Sequence, residues 1–505
     1  MDTYSKDTNS FKARRKSCEV SIMSSRRPLL SPPLLWMAPA LSGGGYASEA
    51  IAFAQGLAPA FSNASRRFRL RQFAEHGDED FMLGLPSAVS QILQKPYEAP
   101  NAGLWRGAVV CHSPPDAWVP SKFPGWDQLS PCPPPGAKLT IGRTMFETDS
   151  MPSAWVPRCN AMDSVWVPTE FHREAFARAG VLPQKLAVIG EPVDGVFFDP
   201  AATTPLPLPL VATGGDEDGA PFRFLAIFKW ELRKGWDALL SAYFAEFEPS
   251  ERVELVLKTR PFHSSGDFDS LIADFVRERD LPSVRAAVRI LDQPMSFDQL
   301  RSLYAAAHAF VLPSRGEGWG RPHVEAMAMG LPVIATNWCG DAASALGAAL
   351  VHAWARSCGC RVVLEVGVGG ALPTAGVGRF LSRRKFLSPG SAAPLTTYLH
   401  PLVALRSGPT AFLDESVGYP LAYELVPVPE DLHLPGHHWA EPSVPHLRTL
   451  MRRIYTHHEE ARARGMAARQ RMLEQFSPEA LADAVVSALG ERRSRPRRGG
   501  GKEEL

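Results

Sequence analysis

The sequence predicts an α/β protein with two domains, each built around a parallel β-sheet, and three observations support this. Short apolar runs alternate with helical stretches over residues 31–200 and again from residue 222 onward, which is the pattern of repeated βα units. Residues 201–221, rich in Pro, Gly and acids, have neither periodicity and read as a linker. A chain of 505 residues also exceeds the roughly 250–300 residues at which a single hydrophobic core stops growing.

Predicted strands of the first domain each end in a turn of Gly, Pro or polar residues. They cover residues 104–112, 138–142, 164–169 and 186–190. An earlier apolar run at 29–41 contains three prolines, so we predict a buried strand with an irregular start. Residues 1–30 are rich in Lys and Arg, and we predict a disordered or targeting extension there.

The second domain repeats the alternation over residues 222–490 and ends in helices. Its predicted strands lie at 222–228, 253–259, 288–291, 309–313 and 331–336. Residues 444–490 are helical, with Ser477 as an N-cap and Pro478 in the first turn of the last helix. The Arg- and Gly-rich residues 491–505 are predicted to form a disordered tail.

Charge and cysteine content exclude several classes of protein. The chain has 54 Lys and Arg against 53 Asp and Glu, so it lacks the basic excess of a nucleic-acid binder. No apolar run approaches the roughly 20 residues that cross a bilayer, which leaves only peripheral membrane contact open. The seven cysteines are scattered and lack metal-ligand spacing, so we predict reduced, unpaired thiols and a cytoplasmic location, with organelle targeting by residues 1–30 left open.

The densest signal for a functional site is the string PSRGEGWGRPHVEAMAMGLPVIATN, which follows a predicted strand. Gly316 and Gly318 bring bare backbone forward, and a helix then begins at Pro322. Free N–H groups at such a helix start bind anions such as phosphate. Glu317 and Glu325 can face the same crevice, where carboxylates accept hydrogen bonds from sugar hydroxyls.

This string resembles the donor-site signature of retaining, family 4 type glycosyltransferases of the GT-B fold (glycosyl transferases group 1), in which a Glu-x7-Glu pair follows a glycine-rich turn. The resemblance implies two Rossmann-like domains that face each other across a cleft, with C-terminal helices crossing back over it. It also implies that Glu325 binds the nucleotide ribose and that Glu317 contacts hydroxyls of the transferred sugar. No protein nucleophile is implied, because the leaving diphosphate oxygen acts as the base.

Further matches to this family follow in the expected order. The family has a basic residue at the end of the first strand of the second domain and Lys-Gly five positions later, which correspond to Lys229 and Lys234. The resemblance implies that both ammonium groups hold the diphosphate and stabilise the leaving group. The family usually has Arg at the first position, so Lys229 lacks the bidentate fork of a guanidinium. A solvated helix start is the alternative for both lysines.

In the first domain, SGGGYASEA resembles the family's N-terminal glycine-rich loop. Gly43, Gly44 and Gly45 are therefore expected to approach the donor phosphates. His112 ends an apolar strand at a place where these enzymes often have a histidine that contacts the donor sugar. A histidine satisfied within the fold at a strand end explains it equally well.

A second polar cluster follows the strand at 138–142. Arg143 and Glu147 lie at the predicted mouth of the acceptor domain, so we expect a role in acceptor binding or domain closure. A turn held by a structural salt bridge explains them equally well. No Asp-x-Asp motif is placed at a strand end, so we expect no metal and no cofactor, only a nucleotide sugar as donor substrate.

Residues 339–406 depart from the family pattern. After Trp338 the family continues into a Ser-Gly-Pro-Thr turn, which this chain reaches only at 407–410. Residues 342–406 contain one acidic residue and no sustained period, and structureless loops of this length are rare inside compact domains. We hypothesise a retained intron or a gene-model error, which sequencing the transcript would decide. A genuine segment would protrude beside the donor pocket and gate or block it.

The sequence therefore predicts a metal-independent glycosyltransferase that moves a sugar from a nucleotide diphosphate sugar, with retention of configuration, to an unknown small-molecule, glycan or protein acceptor. Two alternatives stay open. One is a catalytically inactive nucleotide-sugar-binding or assembly protein of the same fold. The other is a phosphorylase, which would need a pyridoxal-phosphate lysine that the sequence does not place.

Overall fold

A computed structural model of the chain describes residues 33–60, 68–75, 77–83, 85, 106–123, 131–209, 220–262, 266–282, 285–340, 405–406 and 408–494. The predicted N-terminal extension, nearly all of the 339–406 segment and residues 495–505 of the predicted tail lie outside these residues. Within the described part, no helix is long and apolar enough to cross a membrane.

The strands of the first half of the chain form one sheet and those of the second half form another. In chain order they are Leu34–Ala38 (β1), Phe68–Gln72 (β2), Ala108–His112 (β3), Leu139–Arg143 (β4), Ser164–Val167 (β5), Leu186–Val188 (β6), Phe222–Trp230 (β7), Val253–Pro261 (β8), Ala287–Leu291 (β9), Ala309–Leu312 (β10), Val333–Thr336 (β11), Cys339–Gly340 (β12), Leu405–Arg406 (β13), Tyr419–Leu421 (β14), Tyr423–Pro427 (β15) and His438–Pro442 (β16).

Helices follow most strands of both sheets. They are Gly45–Leu57 (α1), Glu79–Leu83 (α2), Val156–Ala161 (α3), Glu170–Ala179 (α4), Trp236–Glu246 (α5), Phe268–Glu278 (α6), Phe297–Ala305 (α7), Arg321–Ala328 (α8), Val444–Thr456 (α9), His458–Gln475 (α10) and Pro478–Ser494 (α11).

The first sheet has six parallel strands in the order β2-β1-β3-β4-β5-β6. Strands β1, β3 and β5 are buried along their whole length, because both faces of a parallel sheet are covered. This is why they appear in the sequence as continuous apolar runs. The sequence did not predict β2, an edge strand with the polar pattern FRLRQ.

The second sheet has the order β14-β11-β10-β7-β8-β9, also parallel. The strand order reverses between β7 and β10. In open α/β sheets, ligands bind at the carboxyl ends of the strands beside such a reversal. The loops after β7 and β10 hold Lys234 and Glu317, so both predicted donor residues lie at this point of the sheet.

The three C-terminal helices join the two halves, as the predicted fold class requires. Leu447, Ile454 and Met472 of α9 and α10 belong to the core of the second domain. Leu481 and Val485 of α11 pack instead into the core of the first sheet. The C-terminal helices therefore cross back from the second domain to the first. Helix α11 continues to Ser494, so the predicted tail boundary at residue 491 is too early.

One sequence prediction about the cysteines is wrong. Cys111 at the end of β3 and Cys132 form a disulfide with a Cα–Cα distance of 5.7 Å, whereas reduced thiols were predicted. The two residues are 21 positions apart, and only the folded chain brings them together. The predicted cytoplasmic location rested on reduced thiols and loses that support, because disulfides persist mainly in oxidising compartments.

Candidate functional site

A cavity of about 550 Å³ lies between the two sheets, within the ~300–1,000 Å³ typical of small-molecule sites. Most of the residues predicted for the site line it. They are Gly43, Gly44, Gly45, Glu147, Lys229, Lys234, Glu317, Gly318 and Glu325. His112, Arg143 and Gly316 do not line the cavity.

The glycine-rich loop after β1 leads into helix α1 at the rim of the cavity. Gly43 has a φ of +71°, a conformation that favours glycine. Gly44 is the N-cap of α1 and provides no side-chain cap. A Cβ placed on Gly45 would meet no protein atom within 4 Å. The uncapped start of α1 therefore lies beside open space at Gly45, and a helix start of this kind can bind an anion.

Two cations stand side by side at the carboxyl edge of the second sheet. Lys229 of β7 is in register with Arg260 of β8, and its Nζ lies 5.2 Å from the centroid of the Phe262 ring. Burial and the neighbouring Arg260 lower the pKa of Lys229. Within the described residues neither cation forms a salt bridge with a carboxylate, so both charges are available to a ligand.

Glu317 forms a buried ion pair with Lys234. The Lys234 Nζ donates to both carboxylate oxygens, at 2.8 Å and 2.9 Å, and Arg233 Nη1 lies 3.7 Å from Oε2. Burial would raise the pKa of Glu317, but the charges of Lys234 and Arg233 outweigh it and lower the pKa to about 2. Glu317 is therefore ionised and accepts hydrogen bonds at neutral pH.

Local backbone geometry places Lys234. Residues Leu232–Lys234 form one 3-10 turn that ends at Gly235, whose φ is +69°. A Cβ on Gly235 would collide with the carbonyl of Pro313. Only glycine therefore fits at the second position of the Lys-Gly motif. Arg315 fixes the facing loop, because its guanidinium donates to both carboxylate oxygens of Asp237 at 2.7 Å and 2.8 Å.

Glu325 lies one turn into helix α8. The Tyr304 hydroxyl donates to its Oε2 at 2.9 Å, and Arg321 Nη2 lies 3.8 Å from its Oε1. Burial raises the pKa of Glu325, and the charge of Arg321 and the Tyr304 hydrogen bond oppose this shift. The helix begins after Gly320, an N-cap residue with φ of +105° and no side-chain cap.

The glycines of the 316–320 loop serve contact between the domains. A Cβ on Gly316 would collide with the carbonyl of Glu147, and one on Gly318 would collide with the side chain of Met145. Gly318 also lines the cavity, but Gly316 does not. The predicted donor role of Gly316 therefore has no support in its position, and its small size permits the close approach of the two domains.

His112 and Arg143 lie behind the cavity wall, which favours the structural alternative for each over direct contact with donor or acceptor. Both are completely buried. The Trp36 indole N–H donates to Nδ1 of His112 at 3.0 Å, so Nε2 carries the proton and donates to Glu49 at 2.9 Å. Arg143 Nε donates to the other oxygen of Glu49 at 2.7 Å. Tyr46 lines the cavity and stacks edge-to-face on His112, which places the histidine one layer behind the cavity wall.

Sequence reasoning missed several charged and aromatic residues of the cavity. They are Tyr46, Glu191, Arg233, Arg260 and Arg321. Arg233 is adjacent to Lys234, and Arg321 lies in the string that contains Glu317 and Glu325, so proximity to the motifs was a usable signal for both. Arg260 lacked that signal, because strand pairing brings it beside Lys229. No group of three or more His, Cys, Asp or Glu side chains in the described part of the chain is arranged to hold a metal.

The two parallel α/β sheets, the cavity between them and the C-terminal helices that cross back form the arrangement of the GT-B class of fold. Residues 224–355 match the family model described as Glycosyl transferases group 1. A search of curated proteins gives no match.

Several solved structures are similar to the whole chain. Anabaena Alr3699/HepE in complex with UDP and glucose has a TM-score of 0.52 at 12% identity, with 91% of this chain and 99% of that chain covered. A glycosyltransferase from Rickettsia africae has a TM-score of 0.52 at 14% identity, covering 92% and 99%. The sucrose-phosphate synthase from Thermosynechococcus elongatus has a TM-score of 0.50 at 15% identity, covering 91% and 98%.

The chain therefore has the GT-B fold, and residues 224–355 of its second domain match the glycosyl transferases group 1 model. This confirms the predicted fold, and the family match supports the predicted class of enzyme. The family 4 type, the retaining stereochemistry and the roles of individual residues stay predictions.

Proposed function

We propose that the protein transfers a sugar from a nucleotide diphosphate sugar to an acceptor, with retention of configuration and without a metal ion. The observation that supports this most directly is the pairing of Glu317 with Lys234 in the same cavity as Glu325 and the uncapped start of α1. Hydroxyl acceptors and diphosphate-binding groups thus line one cleft. UDP-glucose is the first donor to test, because Alr3699/HepE was solved with it.

The diphosphate would be held by positive charge from both domains. Lys229, Lys234 and Arg260 approach from the second domain, and the amides at Gly45 approach from the first. Lys234 is already held by Glu317 before the donor binds, so its charge can stabilise the growing negative charge on the leaving nucleoside diphosphate with little reorganisation. The same charges supply the neutralisation that a metal ion provides in other transferases.

In the reaction that we propose, the bond between the anomeric carbon and the diphosphate oxygen breaks. The acceptor hydroxyl oxygen bonds to that carbon from the same face, and its proton passes to the departing diphosphate oxygen. Glu317 accepts a hydrogen bond from a sugar hydroxyl and orients the ring, and Glu325 accepts from the ribose hydroxyls. Glu147, at the cavity rim beside the acceptor domain, contributes to acceptor binding.

The test is calorimetric binding of UDP-, GDP- and ADP-glucose to the wild type, Lys234→Ala and Glu325→Ala. We expect at least about tenfold weaker binding of the preferred donor in each variant, which equals the loss of one good hydrogen bond or ion pair. Lys122→Ala removes an exposed lysine that does not line the cavity and is the matched control. Unchanged donor binding in both site variants would show that the site is wrongly assigned.

Stereochemistry and metal need separate measurements. NMR of the anomeric proton of the product distinguishes retention from inversion, and turnover in excess EDTA tests the metal. An inverted product or a loss of turnover that Mg²⁺ or Mn²⁺ restores would contradict the corresponding part of the proposal. Donor binding without hydrolysis or transfer to any acceptor would favour the inactive donor-binding alternative.

A further inference from the structure

Glu191 is a buried acid of the cavity for which no role was predicted. It follows β6 in the segment Gly190–Pro192, where the chain leaves the first domain, and it lines the same cavity as Glu317 and Glu325. Only 1% of its surface is exposed. A buried carboxyl group needs either a cation or hydrogen bonds, so its surroundings decide its charge.

The surroundings of Glu191 provide neither a closely paired cation nor hydrogen bonds to both carboxyl oxygens. Its Oε1 is buried and has no hydrogen-bond partner. Its Oε2 lies 3.9 Å from Arg321 Nη1, beyond hydrogen-bond distance. Arg321 donates to the carbonyl of Pro192 and lies at a similar distance from Glu325. Arg321, a cation of the second domain, is thus shared between two carboxyl groups.

The other charged groups that face Glu191 are Glu49, Arg143 and Glu317. Arg143 donates to Glu49, and Glu317 is paired with Lys234. Burial, followed by the Glu49 carboxylate, raises the pKa of Glu191 well above its ordinary value, and Arg321 and Arg143 offset this only in part. An unpaired buried carboxylate costs several kcal/mol, so both geometry and charge favour the neutral acid.

We propose that Glu191 is a third donor-binding carboxyl, which donates a hydrogen bond to an oxygen of the bound nucleotide diphosphate sugar. This inference rests on the proposed function. The terminal torsion of a glutamate is broad, so a small rotation turns the O–H group toward the cavity. A neutral acid here can donate to a diphosphate or sugar oxygen, whereas a carboxylate would repel the diphosphate.

The experiment measures dissociation constants of UDP and UDP-glucose between about pH 6 and about pH 9 for the wild type, Glu191→Gln and Glu191→Ala. At the lower pH we expect Glu191→Gln, which keeps an N–H donor, to bind within about twofold of the wild type, and Glu191→Ala to bind about tenfold more weakly. With rising pH, wild-type binding weakens as Glu191 ionises, and Glu191→Gln binding does not. Glu75→Gln removes a carboxyl from the same cavity and controls for a general change in charge.

Comparison of UDP with UDP-glucose shows which part of the donor carries the oxygen that accepts the hydrogen bond from Glu191. An effect already complete with UDP places it on the nucleotide, and an effect seen only with UDP-glucose places it on the sugar. Equal affinities and equal pH profiles for the wild type and Glu191→Ala would overturn the inference and leave the proposed function intact. A wild type that binds no UDP, GDP or ADP nucleotide would overturn the proposed function, and this inference with it.

A ligand-free measurement checks the charge state. The pKa of Glu191 is raised in the folded protein, so its contribution to stability is complete below the unfolded value of about 4.3 and is lost as the pH rises toward the folded value. Thermal midpoints of Glu191→Gln should therefore exceed those of the wild type increasingly as the pH rises. Midpoint differences that do not change with pH would show that Glu191 is ionised and overturn the inference.

Discussion

At the scale of single residues, the Lys234–Glu317 pair shows how the cavity holds a carboxylate ready for hydroxyl groups. Two hydrogen bonds from one ammonium fix Glu317, and Arg233 approaches it from the same 3-10 turn. The side chain of Glu317 is only 7% exposed and that of Lys234 13%. Little water is available to compensate either charge if its partner is removed, so the pair is coupled.

Lys234→Met should therefore destabilise the protein more than the double variant Lys234→Met/Glu317→Gln. Removing one partner of a buried pair costs about 3–5 kcal/mol, because the other charge is left unpaired, whereas replacing both is far less costly. In the wild type, the stability that Glu317 contributes is complete above about pH 4.5 and is lost as the pH falls toward its folded-state pKa of about 2. Without Lys234 this pKa rises, so the loss on acidification is complete at a higher pH. Denaturant unfolding across pH measures both effects. A double variant less stable than the single would contradict this coupling.

Sequence reasoning at this scale succeeded where the chemistry is local. Lys229 at the end of β7, Lys234 after it and the glutamates around the glycine turn lie within short strings, and the structure brings them into one cavity. The sequence did not show that His112 is buried behind the cavity wall, because a position at a strand end does not reveal how deeply a side chain lies. Tyr46 covers His112 on the cavity side. Arg260 was missed because only strand pairing brings it beside Lys229.

At the scale of elements, the two glycine-rich loops have different reasons for lacking side chains. The loop after β1 opens onto empty space at Gly45, and the loop after β10 presses against the other domain at Gly316. One glycine leaves room for a ligand, and the other leaves room for the protein. The sequence did not distinguish these reasons, since both loops read as turns before a helix.

Gly45→Ala and Gly316→Ala should accordingly differ in effect. Ala at Gly45 meets no protein atom within 4 Å and occupies a helical position, so we expect unchanged or slightly raised thermal stability and weaker donor binding. Ala at Gly316 collides with the Glu147 carbonyl, so we expect lower stability or a more open arrangement of the domains. Thermal unfolding, donor titration and small-angle scattering distinguish the two. Equal stability losses in both variants would contradict the distinction.

At the scale of the whole molecule, several contacts hold the two domains together. Asp149 of the first domain accepts hydrogen bonds from the backbone N–H of His438 at 2.8 Å and from its imidazole at 3.1 Å. Phe476 at the end of α10 accepts from the N–H of Val193 at 2.8 Å, and α11 then packs on α1. The strand alternation in the sequence predicted both sheets, but not the β15–β16 hairpin that reaches across, because its exposed residues lack a clear apolar period.

The described ends of the 339–406 segment lie together. Cys339 pairs with Arg406, and Gly340 pairs with Leu405. The Thr410 hydroxyl donates to the carbonyl of Trp338 at 3.3 Å across 72 positions. The chain just after strand β11 and the turn that follows the segment are thus already adjacent, so removal of the segment would join two parts of the chain that lie side by side.

A variant that lacks residues 339–406 should therefore fold with both sheets intact. If the segment adds no packing of its own, shortening the connection from roughly 70 residues to a few lowers the loop-closure cost by about 2–3 kcal/mol, and the thermal midpoint rises. Because Gly408 packs against the backbone of Glu317 and Trp319, donor affinity reports whether the rejoined turn still supports the donor loop. We expect affinity equal to or tighter than that of the full chain. Lower stability together with lost donor binding would show that the segment is part of the working enzyme, against its interpretation as a retained intron.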